Sequence, residues 1–192
     1  MTARLTLLAS SSDRDAVTAI RAGDYEAFEV VFCAFVEPLA AFACRLLRSR
    51  EDARDVVHDL FLWIWEHREE WEVPGALKTY LYRATRNRAL SQLRHRKVEW
   101  IFRRGRATHA DPTLTIVSPL STQRIEANEL STLVERAIES LPKRSRHVFL
   151  LNRQHHLSYG EIAEVLRISP KTVENHMARA LAGMRKALDA WT

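Results

Sequence analysis

Apolar residues recur at helical spacing along most of this 192-residue chain, and its five glycines and six prolines are too few to interrupt the pattern often. Ala27, Val30, Val31, Ala34 and Phe35 follow an i, i+3, i+4, i+7, i+8 pattern, and Leu39, Phe42, Ala43, Leu46 and Leu47 continue it beyond Pro38. That period belongs to amphipathic helix, not to strand. Pro38 opens a second helix or kinks the first, because its ring removes a backbone donor and fixes φ. Val56, Val57, Leu60 and Ile64 mark the apolar side of a further helix, thickened by Phe61, Trp63 and Trp65. A loop over residues 69–75, broken by Pro74-Gly75, separates it from a helix over 77–97. Residues 111–123 carry Pro112, Pro119 and several Ser and Thr with little periodicity, which reads as a linker. Helical periodicity resumes near Ile125. The expected fold class is therefore all-α: two small helical domains joined by a flexible linker. The divisions are an N-terminal arm at 1–22, a first domain at 23–97, a linker at 98–124 and a second domain at 125–192.

With 46% hydrophobic and 28% charged residues the chain has enough apolar surface to bury a core in each domain. Charges interrupt the apolar runs before they reach the roughly 18 residues a spanning helix needs, so no membrane insertion is expected. The Leu5 to Leu8 patch after Arg4 is shorter than the apolar core of about 7–15 residues in a signal peptide, which points to the cytoplasm. Cys33 and Cys44 have no CxxC or Cys/His spacing. In one helix they would lie about 16 Å apart, beyond disulfide reach, so buried free thiols are expected, with no metal and no cofactor.

The net charge of +5 says less than its order along the chain. Between residues 51 and 72 the acids Glu51, Asp52, Asp55, Asp59, Glu66, Glu69, Glu70 and Glu72 face only Arg54 and Arg68. Between 83 and 106 the bases Arg83, Arg86, Arg88, Arg94, Arg96, Lys97, Arg103, Arg104 and Arg106 face only Glu99. An acidic block followed by a basic one suits two partners of opposite charge, or one self-paired surface.

Toward the C-terminus, Ser158-Tyr159-Gly160-Glu161 is a capping box that starts a helix carrying Ile162, Ala163 and Leu166 on one side. Arg167-Ile168-Ser169 is the length of a tight turn, with Ile168 buried. Ser169 as N-cap and Pro170 at the first helical position launch the next helix, striped by Val173, Met177, Ala180, Leu181, Met184 and Leu188. This describes a helix-turn-helix, whose second helix enters the major groove with its front residues on base edges. Lys171, Glu174, Asn175, Ala178 and Arg179 occupy that exposed front. Arg179 suits guanine, Asn175 adenine and Glu174 cytosine, while Lys171 suits a phosphate. The alternative is a helical hairpin whose polar face is merely hydrated.

Asp52, Asp55, Asp59 and Glu66 share one helix face. Like charges stacked this way weaken an isolated helix by a few tenths of a kcal/mol per pair, a repulsion a basic partner would relieve. A solvated acidic face and a divalent-metal site at Asp55, His58 and Asp59 are the competing readings. In the following helix Tyr80, Arg83, Asn87 and Arg94 share a face opposite Leu77, Leu81 and Ala84. Aromatics beside cations suit single-stranded nucleic acid, whose bases stack on rings while arginines follow phosphates. Trp71 and Tyr82 are candidates for the same role or for the core.

Together these motifs resemble the sigma-70 family of bacterial RNA polymerase sigma factors, in particular the extracytoplasmic-function (ECF) type. The stretch 52–61 (DARDVVHDLF) resembles region 2.2, which implies that Asp52, Asp55, His58, Asp59 and Phe61 bind core RNA polymerase through its β′ subunit. The stretch 80–87 (YLYRATRN) resembles regions 2.3 and 2.4, which melt and read the minus-ten element. That implies DNA contacts by Trp71, Tyr80, Tyr82, Arg83, Arg86, Asn87 and Arg94, and a promoter base held by the loop at 71–75. The stretches 141–146 and 157–163 resemble region 4, which implies a minus-thirty-five reader made of Lys171, Thr172, Glu174, Asn175, His176, Ala178 and Arg179. The linker would thread through polymerase, whose β′ and β subunits are implied partners. Partners implied are core polymerase, duplex and melted promoter DNA, and an anti-sigma factor, with no catalysis by the chain itself. The chain departs from the family pattern at Arg54, His58 and Ser91, where members often carry an acid, Gln and Asp. Residues 169–176 (SPKTVENH) also resemble the recognition helix of LuxR-type regulators, a stand-alone reading that leaves the acidic stripe and the aromatic–basic helix without a role.

Overall fold

The structure, a computed structural model, describes residues 13–104 and 129–189. Among these residues there are eight α-helices and no strand. They fall into two compact units, one within 1–115 and the other within 116–192, in keeping with the expected all-α, two-domain fold.

The first unit contains α1 (Asp13–Arg21), α2 (Tyr25–Leu47), α3 (Arg50–Glu66) and α4 (Leu77–Arg104). Its helix starts are locally encoded. The Asp24 carboxylate accepts from the Ala27 amide at 3.1 Å to open α2, and Ser49 Oγ accepts from the Asp52 amide at 3.2 Å to open α3. Arg48 closes α2 in the left-handed region, φ 59°. Pro38 does not divide α2, which continues through it for 23 residues. The apolar faces of α2, α3 and α4 meet in a core that includes Leu39, Phe42, Val57, Leu60, Phe61, Ile64, Leu77 and Leu81. Each such side chain contributes roughly 1.5–3 kcal/mol when fully buried.

By length and composition α2 would suffice to cross a membrane, its most apolar window reaching a mean hydropathy of 1.9, contrary to the expectation from interrupted runs. It buries Val31, Leu39, Ala40, Phe42, Ala43 and Leu47 in the core of this unit, with 33% of that apolar window buried. Cys33 and Cys44 are both free, as expected, but Cys33 is exposed, and Cys44 is only half-buried where it packs against the cluster of Ala43, Leu47, Ala53, Val56 and Ala89.

Two boundaries differ from the sequence reading. The supposed arm contains α1, which buries Ala16 and Ile20. Helix α4 runs to Arg104, past the expected end at residue 97. Residues 1–12 and the proline-containing stretch 111–123 lie outside the described residues.

The second unit contains α5 (Glu129–Ser140), α6 (Lys143–Arg153), α7 (Tyr159–Leu166) and α8 (Pro170–Asp189). Its core is built from Leu141, Val148, Leu151, Leu157, Ile162, Val165, Val173, Met177 and Ala180. Packing of α8 against the end of α5 is close: a Cβ on Gly183 would stand 2.6 Å from Leu141 Cδ2. Leu181 does not join the apolar stripe and is 41% exposed, and the Leu188 side chain lies outside the described residues.

Candidate nucleic-acid and polymerase interface

The acidic face of α3 is less uniform than its spacing suggests. Asp55, His58, Asp59 and Glu66 are exposed. Asp52, by contrast, is engaged within the chain, forming an ion pair with Arg96 and accepting from Gln92 Nε2 at 3.3 Å. A hydrogen bond with Ser49 and the Arg96 guanidinium hold its carboxyl below the ordinary range, against the opposing effect of burial. So, among the described residues, the self-paired alternative applies to Asp52 and not to Asp55 or Asp59. Phe61, expected at the docking surface, is 2% exposed and packs against Phe28 and Phe32, at ring distances of 6.0 and 5.0 Å. It is a core residue because its position points inward with Val57 and Ile64. The His58 ring lies along Phe32, 6.1 Å between centroids. No group of three or more His, Cys, Asp or Glu among the described residues is arranged to hold a metal ion.

Leu62 and Trp63 extend this exposed side with apolar surface, at 56% and 38% exposure. Trp63 stacks on His67 at 4.8 Å and lies 5.8 Å from the Arg88 guanidinium carbon on α4. The sequence pattern predicts that Trp63 thickens the apolar side of the helix, but its ring lies outside the core.

On α4, Tyr80, Arg83, Arg86 and Asn87 are half-buried and Arg94 is exposed. Trp71 and Tyr82, candidates from sequence for stacking or for the core, are 2% and 1% exposed. In this conformation they are core residues: Tyr82 packs on Phe42 at 5.3 Å, and Trp71 meets Tyr80 edge-on at 6.0 Å. Burial pushes the Tyr82 hydroxyl far above the ordinary tyrosine range. Of the three aromatic candidates in this part of the chain, Tyr80 alone retains partial access, at the start of α4, and the exposed Trp63 was not among them. The Trp71 indole Nε1 is buried without a hydrogen-bond partner among the described residues.

The loop between α3 and α4 borders a cavity of about 430 Å³, lined by Trp71, Glu72 and Pro74 on one side and by Asp13, Thr18 and Arg21 of α1 on the other. Neither Asp13 nor Arg21 was singled out in the sequence. The available signal was the pair Ala16 and Ile20 at i, i+4 behind the acidic start Asp13-Arg14-Asp15, a short amphipathic turn.

In the second unit the helix-turn-helix forms as its caps specify. Ser158 Oγ accepts from the Glu161 amide at 3.3 Å, and Glu161 Oε2 accepts from the Ser158 amide at 2.7 Å. The turn passes through Arg167 at φ 55°, and Ser169 Oγ accepts from the Thr172 amide at 3.1 Å to start α8. Ile168 is half-buried where full burial was expected. Lys171, Glu174, Asn175, Ala178 and Arg179 are exposed together. Lys171 Nζ donates to Glu174 Oε2 at 2.9 Å, which raises the lysine's affinity for its proton. Thr172 is half-buried, its hydroxyl 2.8 Å from Ser169 Oγ, so it belongs to the helix start as much as to the outer surface. His176 is turned from the front toward α6, with Nδ1 3.3 Å from Ser145 Oγ. Burial, then Arg179 and Arg144, lower its pKa below the usual histidine value.

Each unit matches a separate family model: "Sigma-70 region 2" over residues 33–99 and "Sigma-70, region 4" over residues 131–184. The chain is 25% identical to the ECF RNA polymerase sigma factor SigW of Bacillus subtilis over 173 residues, 88% of this chain and 92% of that protein. It is 27% identical to the ECF sigma factor SigM of Mycobacterium tuberculosis, covering 92% of this chain and 85% of that one. It is 26% identical to the ECF sigma-E factor of Escherichia coli, covering 93% of each. In fold it is similar to CnrH, solved in complex with the cytosolic domain of CnrY, with a TM-score of 0.61 and 24% identity, covering 95% of this chain and all of that one. It is also similar to the Bartonella quintana sigma factor RpoE, solved with the anti-sigma factor NepR, with a TM-score of 0.59 and 22% identity over 84% of this chain and 96% of that one.

Proposed function

The chain belongs to the sigma-70 family, as an alternative sigma factor of the extracytoplasmic-function type, and from that premise we propose how its two units divide the work. The first unit docks on core RNA polymerase through the exposed acids Asp55 and Asp59 of α3, with His58, Leu62 and Trp63 beside them. The start of α4, from Tyr80 through Asn87, meets the melted minus-ten strand, with Arg94 further along for its phosphates. The second unit places the front of α8 in the major groove of the minus-thirty-five element, where Arg179 and Asn175 read bases and Lys171 holds the backbone. In this reading the chain acts in the cytoplasm and contributes binding and strand separation, with the chemistry left to polymerase. An anti-sigma factor is a further proposed partner, by analogy with the complexes of its structural neighbours.

The observation that carries this reading is the order of the two family matches, region 2 then region 4, one on each compact unit. A stand-alone LuxR-like regulator would account for the second match alone. Co-purification tests the division: wild-type chain should retain core polymerase, and Asp55→Ala with Asp59→Ala should release it while sparing duplex contacts made by α8. Undiminished retention by that double variant would refute the docking face.

A further inference from the structure

Helix α1 grips the loop between α3 and α4 at both of the loop's ends. The Asp13 carboxylate accepts from the amide of Leu77 at 2.9 Å across 64 residues of sequence. Leu77 is the first residue of α4, so one of the donors left open at that helix start is satisfied from α1. At the other end of α1, Arg21 Nη2 donates to the Glu69 carbonyl at 3.0 Å. The chain then turns sharply into α2 through Gly23 at φ +88°, with the Gly23 amide bonded to the Ile20 carbonyl at 3.0 Å. A Cβ at Gly23 would lie 3.7 Å from Arg68 Nε, so this turn sits against the beginning of the same loop. Between the two anchors α1 walls the cavity whose opposite side is Trp71, Glu72 and Pro74.

From these contacts we infer that α1 is a positioning element for the DNA-reading loop, with Asp13 and Arg21 as its positioning residues. The inference rests on the proposed function, in which the start of α4 meets the melted minus-ten strand, and on the family resemblance that implies a promoter base held by the loop at 71–75. A loop of this length without its own helix loses much conformational freedom when ordered. Fixing residues 69 and 77 from outside means the ordering is already done before DNA arrives, and pre-organisation of a binding loop raises affinity for the ligand it fits. Asp13 and Arg21 act on base choice through the loop, and Arg21 does so through a backbone carbonyl that is independent of the side chain at 69.

The test uses full-length chain with core polymerase, on one promoter and on four versions of it that differ at the most restrictive minus-ten base. Strand opening is read by permanganate reactivity, and polymerase affinity is measured separately. Asp13→Ala and Arg21→Ala should each lower opening about fivefold, the scale of one lost capping bond, and should narrow the preference among the four bases. Polymerase affinity should remain that of the wild type. Asp13→Asn, which keeps an acceptor for the Leu77 amide, and Arg21→Lys, which keeps a donor for Glu69, should restore much of the preference. Wild-type opening and preference in both alanine variants would overturn the inference. So would losses of opening and polymerase affinity in parallel without rescue, since that pattern marks a general folding defect. If wild-type chain opens no promoter with active core, the sigma-factor reading itself fails and the inference falls with it.

Discussion

His176 shows how a residue on a reading helix can belong to the scaffold. Its Nδ1 meets Ser145 Oγ of α6 at 3.3 Å, and Ser145 is 1% exposed. Because burial and the nearby Arg179 and Arg144 lower its folded pKa, the neutral ring is the form the fold prefers. The linkage follows from that direction. Stability is fully present above the unfolded value of about 6.5 and declines as pH falls through the lowered folded value. Thermal melts of the chain should therefore drop between pH 7.5 and 5.5, and His176→Gln should make that drop smaller; an unchanged drop would remove His176 as a contributor. Asp52 and Asp55 make a second contrast at this scale. Asp52→Asn disturbs an exposed ion pair worth about 1 kcal/mol or less and should alter polymerase affinity little, because its carboxylate already faces Arg96. Asp55→Ala should weaken polymerase binding more than Asp52→Asn, as competition binding would show. Arg179→Ala should cost about 1–3 kcal/mol in minus-thirty-five affinity if the guanidinium pairs with a guanine edge.

Helix starts were the elements most legible in the sequence, because a cap is a local contract between residues three apart. Ser158 with Glu161 and Ser169 with Thr172 form the bonds their spacing specifies. Ser158→Ala should consequently destabilise the second unit by about 1 kcal/mol, measured as a shift in the denaturation midpoint, with the Asn variant losing less. What stayed illegible depends on contacts distant in sequence. Asp13 caps α4 from 64 residues away, and nothing near Leu77 announces it. The aromatics were left open between stacking and core for a related reason. Helical spacing places Tyr80 and Tyr82 on different sides of α4, but chemistry alone does not say which ring is stacked on Phe42 and which is left accessible. Tyr82 and Trp71 went to the core, and so did Phe61, while Trp63 came out beside His67 and Arg88. Pro38 is the opposite case: a local breaker signal overruled by the packing of α2 on both sides of it.

At the scale of the molecule, the order of charge along the chain proved a better guide than its sum of +5. The acidic block supplies the exposed Asp55 and Asp59 on α3, and the basic block supplies α4, both in the first unit. Part of that opposition is spent internally, in the pair of Asp52 with Arg96, which is why the acidic face is smaller than the count of carboxylates implies. The helix-turn-helix is confined to the second compact unit, and the proposed function accordingly gives duplex reading to that unit and strand melting to the first. Run-off transcription tests the central claim most directly, using core polymerase and promoters identified from the transcripts that rise when the chain is overexpressed. The account predicts transcripts from those promoters only when the chain is present, and their loss with Asp55→Ala combined with Asp59→Ala. Active core that yields the same transcripts with and without the chain would contradict it.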